Sequence, residues 1–150
     1  MKPSRAQNAS LEIEFEGGGR FTAELLETDA PKTCESISSR LPLEFEFYHS
    51  IFSGQAIFSE PEGLIVEPEN QMAAGIPPGT ITFFVRDPPR LAPDEIHITY
   101  GIFIPRGPPF PDYALVNVFA QVRKDLDDLR IVGQRIWKKG AETAVFRIKR

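Results

Sequence analysis

One cysteine, two histidines and one tryptophan in 150 residues leave little material for several kinds of chemistry. Cys34 alone cannot close an internal disulfide, and nothing in the chain points to an oxidising compartment. Cys34, His49 and His97 are scattered without metal-ligand spacing, so neither a metal nor any other cofactor is expected. No apolar run approaches the roughly 20 residues that cross a bilayer, and "MKPSRAQNAS" lacks the apolar stretch of a secretory leader. A cytoplasmic protein without a membrane partner is the expectation. A net charge of −4 disfavours a nucleic-acid partner, because sequence-independent binding to polyphosphate is driven by clustered Lys and Arg.

What is present is ordinary in bulk, with 41% apolar and 25% charged residues, but rich in proline (14) and phenylalanine (12), so helix is expected to be a minority. The length fits one domain with one core. Without internal repeats or a composition break, the chain divides into a flexible arm over 1–10 and a single domain over 11–150.

Leu11, Ile13 and Phe15 alternate with Glu12, Glu14 and Glu16, the period of a strand with one dry face. Gly17–Gly19 turns the chain, and Phe21, Ala23 and Leu25 continue the alternation as a hairpin. A strand after the glycines, where a phosphate cradle needs a helix, argues against nucleotide binding there. Asp29 is placed to cap a first helix with Pro31 in its first turn, Cys34, Ile37 and Leu41 as its stripe, and Pro42 as its stop. Cys34 then reads as core, not nucleophile. Leu43 to Phe58 reads as strand, bulged or bent at Gly54.

After the proline-punctuated connection 60–79 come "TITFFV" and "EIHITYGIFI" as strands. His97 lies between Ile96 and Ile98 and is expected on a wet face. "ALVNVFAQV" is a strand with Val116, Val118, Ala120 and Val122 on one face. Asp125 caps a second helix with Asp127 and Asp128 at its start, Leu129, Val132 and Ile136 as its stripe, Lys138 and Lys139 at its end and Gly140 as its stop. "TAVFRIKR" is a last strand. The fold class is mainly β: a closed antiparallel barrel of about eight strands with two capping helices.

Two of these segments resemble cyclophilins, the peptidyl-prolyl isomerases. "APKTCESI" is similar to the first cyclophilin helix, and "NVFAQV" with the helix after it is similar to a later strand and helix. More narrowly, the chain resembles a bacterial family of small cyclophilin-like proteins known only as a domain of unknown function. In cyclophilins a Phe-His-Arg run supplies the arginine that eases rotation about the prolyl bond; here the run is Phe47-Tyr48-His49. An imidazole offers no bidentate fork. The assisting glutamine corresponds to Gln55 and the phenylalanine flooring the proline pocket to Phe103. Pro111 and Val116 stand where the isomerases carry tryptophan and histidine.

The resemblance therefore implies the barrel without the isomerase, its groove taking a small, carboxylated ligand or a short peptide. His49, Ser53, Gln55, Tyr100, Phe103 and Arg106 are the candidate ligand-binding residues, with Tyr100 as donor and Arg106 as anion clamp, provided the chain bends at Gly54. If it does not bend, His49 is a core residue with a satisfied ring. Three alternatives stand beside this one. Prolyl isomerisation would need Arg86, Arg90 or Arg106 to replace the missing guanidinium; an enzyme acting on a small carboxylate would use His49 as acid or base; and the proline-rich segments 86–93 and 105–111 could join subunits of a homo-oligomer.

Overall fold

The structure is a computed structural model that describes residues 8–86, 92–106 and 113–149. The elements are β1 (Ser10–Phe15), β2 (Arg20–Leu25), α1 (Pro31–Ser38), β3 (Leu43–His49), β4 (Gly54–Ser59), β5 (Thr80–Phe84), β6 (Glu95–Phe103), β7 (Asn117–Val122), α2 (Leu126–Lys139) and β8 (Glu142–Lys149). The eight strands pair antiparallel and close into a barrel in the order β1-β2-β7-β5-β6-β4-β3-β8. The arm expected over 1–10 falls largely outside the described residues; Ser10 already opens β1.

Alternation fills the barrel. Leu11, Ile13 and Phe15 face Phe21, Ala23 and Leu25 across the first hairpin, in the register Ile13↔Phe21, and all six are buried. Gly18 and Gly19 turn that hairpin at φ +111°, a region other residues rarely enter. Phe47, Phe83, Phe119 and Phe146 are wholly buried, each contributing about 1.5–3 kcal/mol of burial. Phe45 meets the Phe146 ring edge-on at 4.9 Å.

The helices close over the barrel with most of the expected stripes, but α1 ends at Ser38, so Leu41 packs on the core from beyond the helix and Pro42 does not stop it. Cys34 and Ile37 are buried on α1, and Leu129, Val132 and Ile136 on α2. The Cys34 thiol donates to the Phe119 carbonyl, and burial pushes its pKa up to about 12, which fits packing rather than nucleophilic chemistry. The expected caps are different. Ala30, not Asp29, is the N-cap of α1, and no side chain of its own caps it. Glu69, from the connection 60–79, reaches across instead and accepts the amides of Lys32 (2.8 Å) and Thr33 (2.9 Å) and the Thr33 hydroxyl. Burial opposes its charge, but these bonds and the Lys32 charge prevail and hold its pKa below the ordinary value. Asp125 precedes α2 at φ +61° and makes no side-chain cap bond.

β7 corrects another expectation. Its register against β5 slips between Ile81 and Thr82, so Ala120 and Val122 face the main core while Val116 and Val118 face out. A bulge of this kind breaks period-two alternation, and the four residues divide between two faces.

Candidate functional site

The single strand expected over 43–58 is instead a hairpin: β3 ends at His49, the chain reverses over 50–53, and β4 returns antiparallel with Tyr48↔Phe58 and His49↔Ile57, while the irregularity expected at Gly54 falls at the start of β4. Gly54 has φ +105°, and a side chain there would collide with the Ile102 carbonyl. Gly54 pairs with Phe103 while Ala56 pairs with Thr99, so two steps along β4 face four along β6. Gln55 holds this irregularity together: its Oε1 accepts the Ile102 amide at 2.9 Å and fills the space a Gly101 side chain would need. Alternation along β6 separates two of the six candidate residues. Tyr100 turns into the barrel and Phe103 turns out.

His49 and Tyr100 meet at the barrel end beneath α2. His49 Nδ1 lies 2.8 Å from the Ser50 carbonyl, which only accepts, so that nitrogen carries the proton. Nε2 is 2.7 Å from the Tyr100 hydroxyl, and Gln134 donates to the same oxygen at 2.9 Å. With the ring neutral, donors run in one direction: Gln134 amide to Tyr100 oxygen, Tyr100 hydroxyl to Nε2, Nδ1–H to carbonyl. Burial raises the Tyr100 pKa against the pull of Gln134 and Arg130, keeping the phenol a donor. Trp137 closes edge-on over the His49 ring at 4.8 Å. The chain bends and His49 still has a satisfied ring, a combination the sequence reading did not weigh.

Ser53, also buried, is consumed by backbone. Its hydroxyl accepts the Arg106 amide (3.1 Å), its carbonyl accepts the Ile104 amide (2.9 Å), and its amide donates to the Ser50 hydroxyl (3.1 Å). The Arg106 side chain is exposed and lies over the Tyr113 ring at 5.8 Å. Among the described residues no carboxylate pairs with it. Arg86 is engaged with Glu95 at 2.8 Å, and Arg90 lies outside the described residues.

Phe103 belongs to a second, smaller core on the outside of the barrel wall, with Ala56, Ile76 and Val116 and, packed on them, Phe84 and Val118. Ile76 and the Met72↔Val116 bridge show how the two long connections cover this wall. The cover corrects the expectation for His97. It does face away from Ile96 and Ile98, but that face is dry: His97 is 5% exposed, its ring 5.9 Å from that of Phe58 and 5.3 Å from that of Phe103.

Nε2 of His97 lies 3.3 Å from Glu95. Burial opposes the Glu95 charge, but His97 and Arg86 outweigh it and keep its pKa below the ordinary value. Among the described residues Nδ1 of His97 has no hydrogen-bond partner, nor has the hydroxyl of Thr82, its direct cross-strand neighbour on β5. A buried polar atom left this way costs about 1–3 kcal/mol. Sequence reasoning missed this cluster; its one signal was that connections as long as 60–79 and 104–116 flank β5 and β6 and must lie over something.

A depression of ≈ 460 Å³ beside α1, lined by Leu25, Pro31, Cys34, Leu41 and Ile148 among others, gathers little chemistry. Its thiol is held protonated and its acids, Glu27 and Glu35, have no cation beside them there. Among the described residues no three of His, Cys, Asp and Glu are grouped to hold a metal ion, and no helix is long and apolar enough to cross a membrane.

The sequence profile of DUF3830, described as a protein of unknown function, matches residues 13–148. The chain belongs to that family. No curated protein matches it. Among solved structures it is similar to McbB, determined in complex with tryptophan, with 21% identity and a TM-score of 0.70 over 93% of this chain and 44% of that one. The chain thus spans less than half the length of McbB. It is also similar to the hypothetical protein AF2241 from Archaeoglobus fulgidus, solved in solution, with 20% identity and a TM-score of 0.62 over 99% and 100% of the two chains. At such identities the likeness is one of fold.

Proposed function

We propose that the protein is a cyclophilin-like barrel without prolyl isomerase activity that binds a small carboxylated molecule on its outer wall, around Phe103 and Arg106. The observation that carries this reading is a buried aromatic floor, Phe103 at the end of β6, followed three residues on by a guanidinium with no carboxylate partner among the described residues. Ser53 and Gln55 fix the backbone that presents both, and His49 with Tyr100 braces the wall from behind. McbB, of the same fold, binds tryptophan, a small carboxylate with an apolar body, which supports the ligand class.

Loss of isomerase activity fits the same geometry. His49 stands where the arginine would be, with both nitrogens engaged, and Arg86 is tied to Glu95. The same engagement weighs against His49 as an acid or base. The oligomer alternative rests on 86–93 and 105–111, most of which lies outside the described residues.

Calorimetric titration with small aromatic carboxylates tests the reading. Binding is expected in the wild type and at least tenfold weaker in Arg106→Ala, the charged clamp being lost while the melting temperature stays put. No binding by any member, or equal binding by the variant, removes the reading. In a protease-coupled assay on a prolyl peptide the expected rate is the uncatalysed one; acceleration would restore isomerisation.

A further inference from the structure

We propose that His97 and Thr82 form the polar end of this same site and recognise a hydrogen-bond donor, an ammonium or hydroxyl, that the ligand carries beside its carboxylate. The inference rests on the outer-wall reading and adds the ligand's second functional group. Glu95 accepts from His97 Nε2, so in the neutral ring Nδ1 holds a lone pair and no proton. That lone pair calls for a donor. The Thr82 hydroxyl, opposite it in the strand pair, can accept a second proton of an ammonium or donate to the oxygen of a hydroxyl.

The neighbours on this face show that the fold satisfies such groups where it needs only packing. The Thr80 hydroxyl lies 2.7 Å from both the Pro77 carbonyl and Gln121, and Thr99 donates to the Pro77 carbonyl at 3.0 Å. The covering connection therefore reaches these threonines and leaves Thr82 and His97, both buried, without partners. Glu95 is in turn held by Arg86, whose guanidinium lies 4.7 Å over the Phe84 ring, so the imidazole is oriented by a fixed carboxylate. Phe58 and Phe103 flank the ring and supply an apolar body's surroundings. A donor, a carboxylate and an apolar body together describe an amino or hydroxy acid.

Three probes of equal size separate the groups: phenylalanine, phenyllactate and 3-phenylpropionate, the last without a donor. Wild type is expected to bind the first two at least tenfold tighter than the third. Thr82→Val and His97→Phe should bring that ratio below threefold while retaining 3-phenylpropionate, and Arg106→Ala should weaken all three. Nitrogen-15 NMR of the wild-type imidazole gives a readout that needs no variant: His97 Nδ1 should be unprotonated and shift with phenylalanine but not with 3-phenylpropionate. A wild-type ratio near one, or a saturated complex in which a single water bridges His97 and Thr82, overturns the inference and leaves the outer-wall reading standing. Failure of all three probes to bind removes both.

Discussion

The two histidines sit on opposite sides of one barrel wall and are treated differently. Beneath α2, His49 has a partner on each ring nitrogen, donating to the Ser50 carbonyl and accepting from the Tyr100 hydroxyl, which Gln134 of α2 holds in turn. Outside the wall, His97 is more deeply buried yet has one partnered nitrogen, beside a hydroxyl with none. A satisfied buried network adds stability and fixes one arrangement, whereas an unsatisfied one gives stability up. The first pattern is that of a brace. The second fits the proposed ligand site, and it turns attention from the histidine that the cyclophilin resemblance singles out to the one that sequence reasoning dismissed.

Substitutions at the two sites can break or sharpen this contrast. Gly133 of α2 rests on the Tyr100 ring, and a methyl there would collide with it. Gly133→Ala should therefore destabilise by about 2–3 kcal/mol despite the better helix former, lowering the melting temperature by roughly 5–10 °C in a thermal scan. Tyr100→Phe strands Gln134 and His49 Nε2 together and should cost about 1–2 kcal/mol in denaturant titration.

Glu69→Gln removes the charge that caps α1 and should cost about 1 kcal/mol at pH 7. Because the folded pKa of Glu69 is depressed, its contribution is complete above the unfolded value, about 4.3, and is lost as pH falls through the folded one. Glu95 acts with the same sign. Unfolding followed from pH 7 to pH 3 should thus show a shallower loss in the Gln variant. Smallest, and opposite in sign, Thr82→Val deletes an unpartnered hydroxyl at nearly constant shape and should stabilise by up to about 1 kcal/mol. Loss of a hydroxyl would then harm one side of the wall and help the other; a destabilised Thr82→Val would erase the distinction.

Much of the barrel was legible because one-sided burial writes itself into alternation, as in Leu11, Ile13 and Phe15, and into three-four spacing, as in Leu129, Val132 and Ile136. Gly54 announced its own irregularity, but not the reversal over 50–53 that makes two strands of 43–58. What was not legible depends on contacts between distant parts of the chain. The cap of α1 comes from a glutamate 36 residues beyond the Thr33 amide it accepts, and no local pattern marks it. The slip in β7 changes which way side chains point without changing composition. His97 looked wet because alternation tells which face a residue takes, not what lies over that face. Of the candidate residues, the division of Tyr100 from Phe103 follows from their odd spacing along β6 and was open to alternation, whereas the engagement of Ser53 and Gln55 with distant backbone amides was not.

Closure of the ring puts Ser10 directly across from Lys149, so the two ends of the barrel are immediate neighbours. A short linker could therefore splice them while new termini are cut in the Gly17–Gly19 turn, and the rearranged polypeptide would keep every strand pairing except the connection of that one hairpin. The same adjacency lets the whole unit be set into a surface loop of another protein without stretching its host.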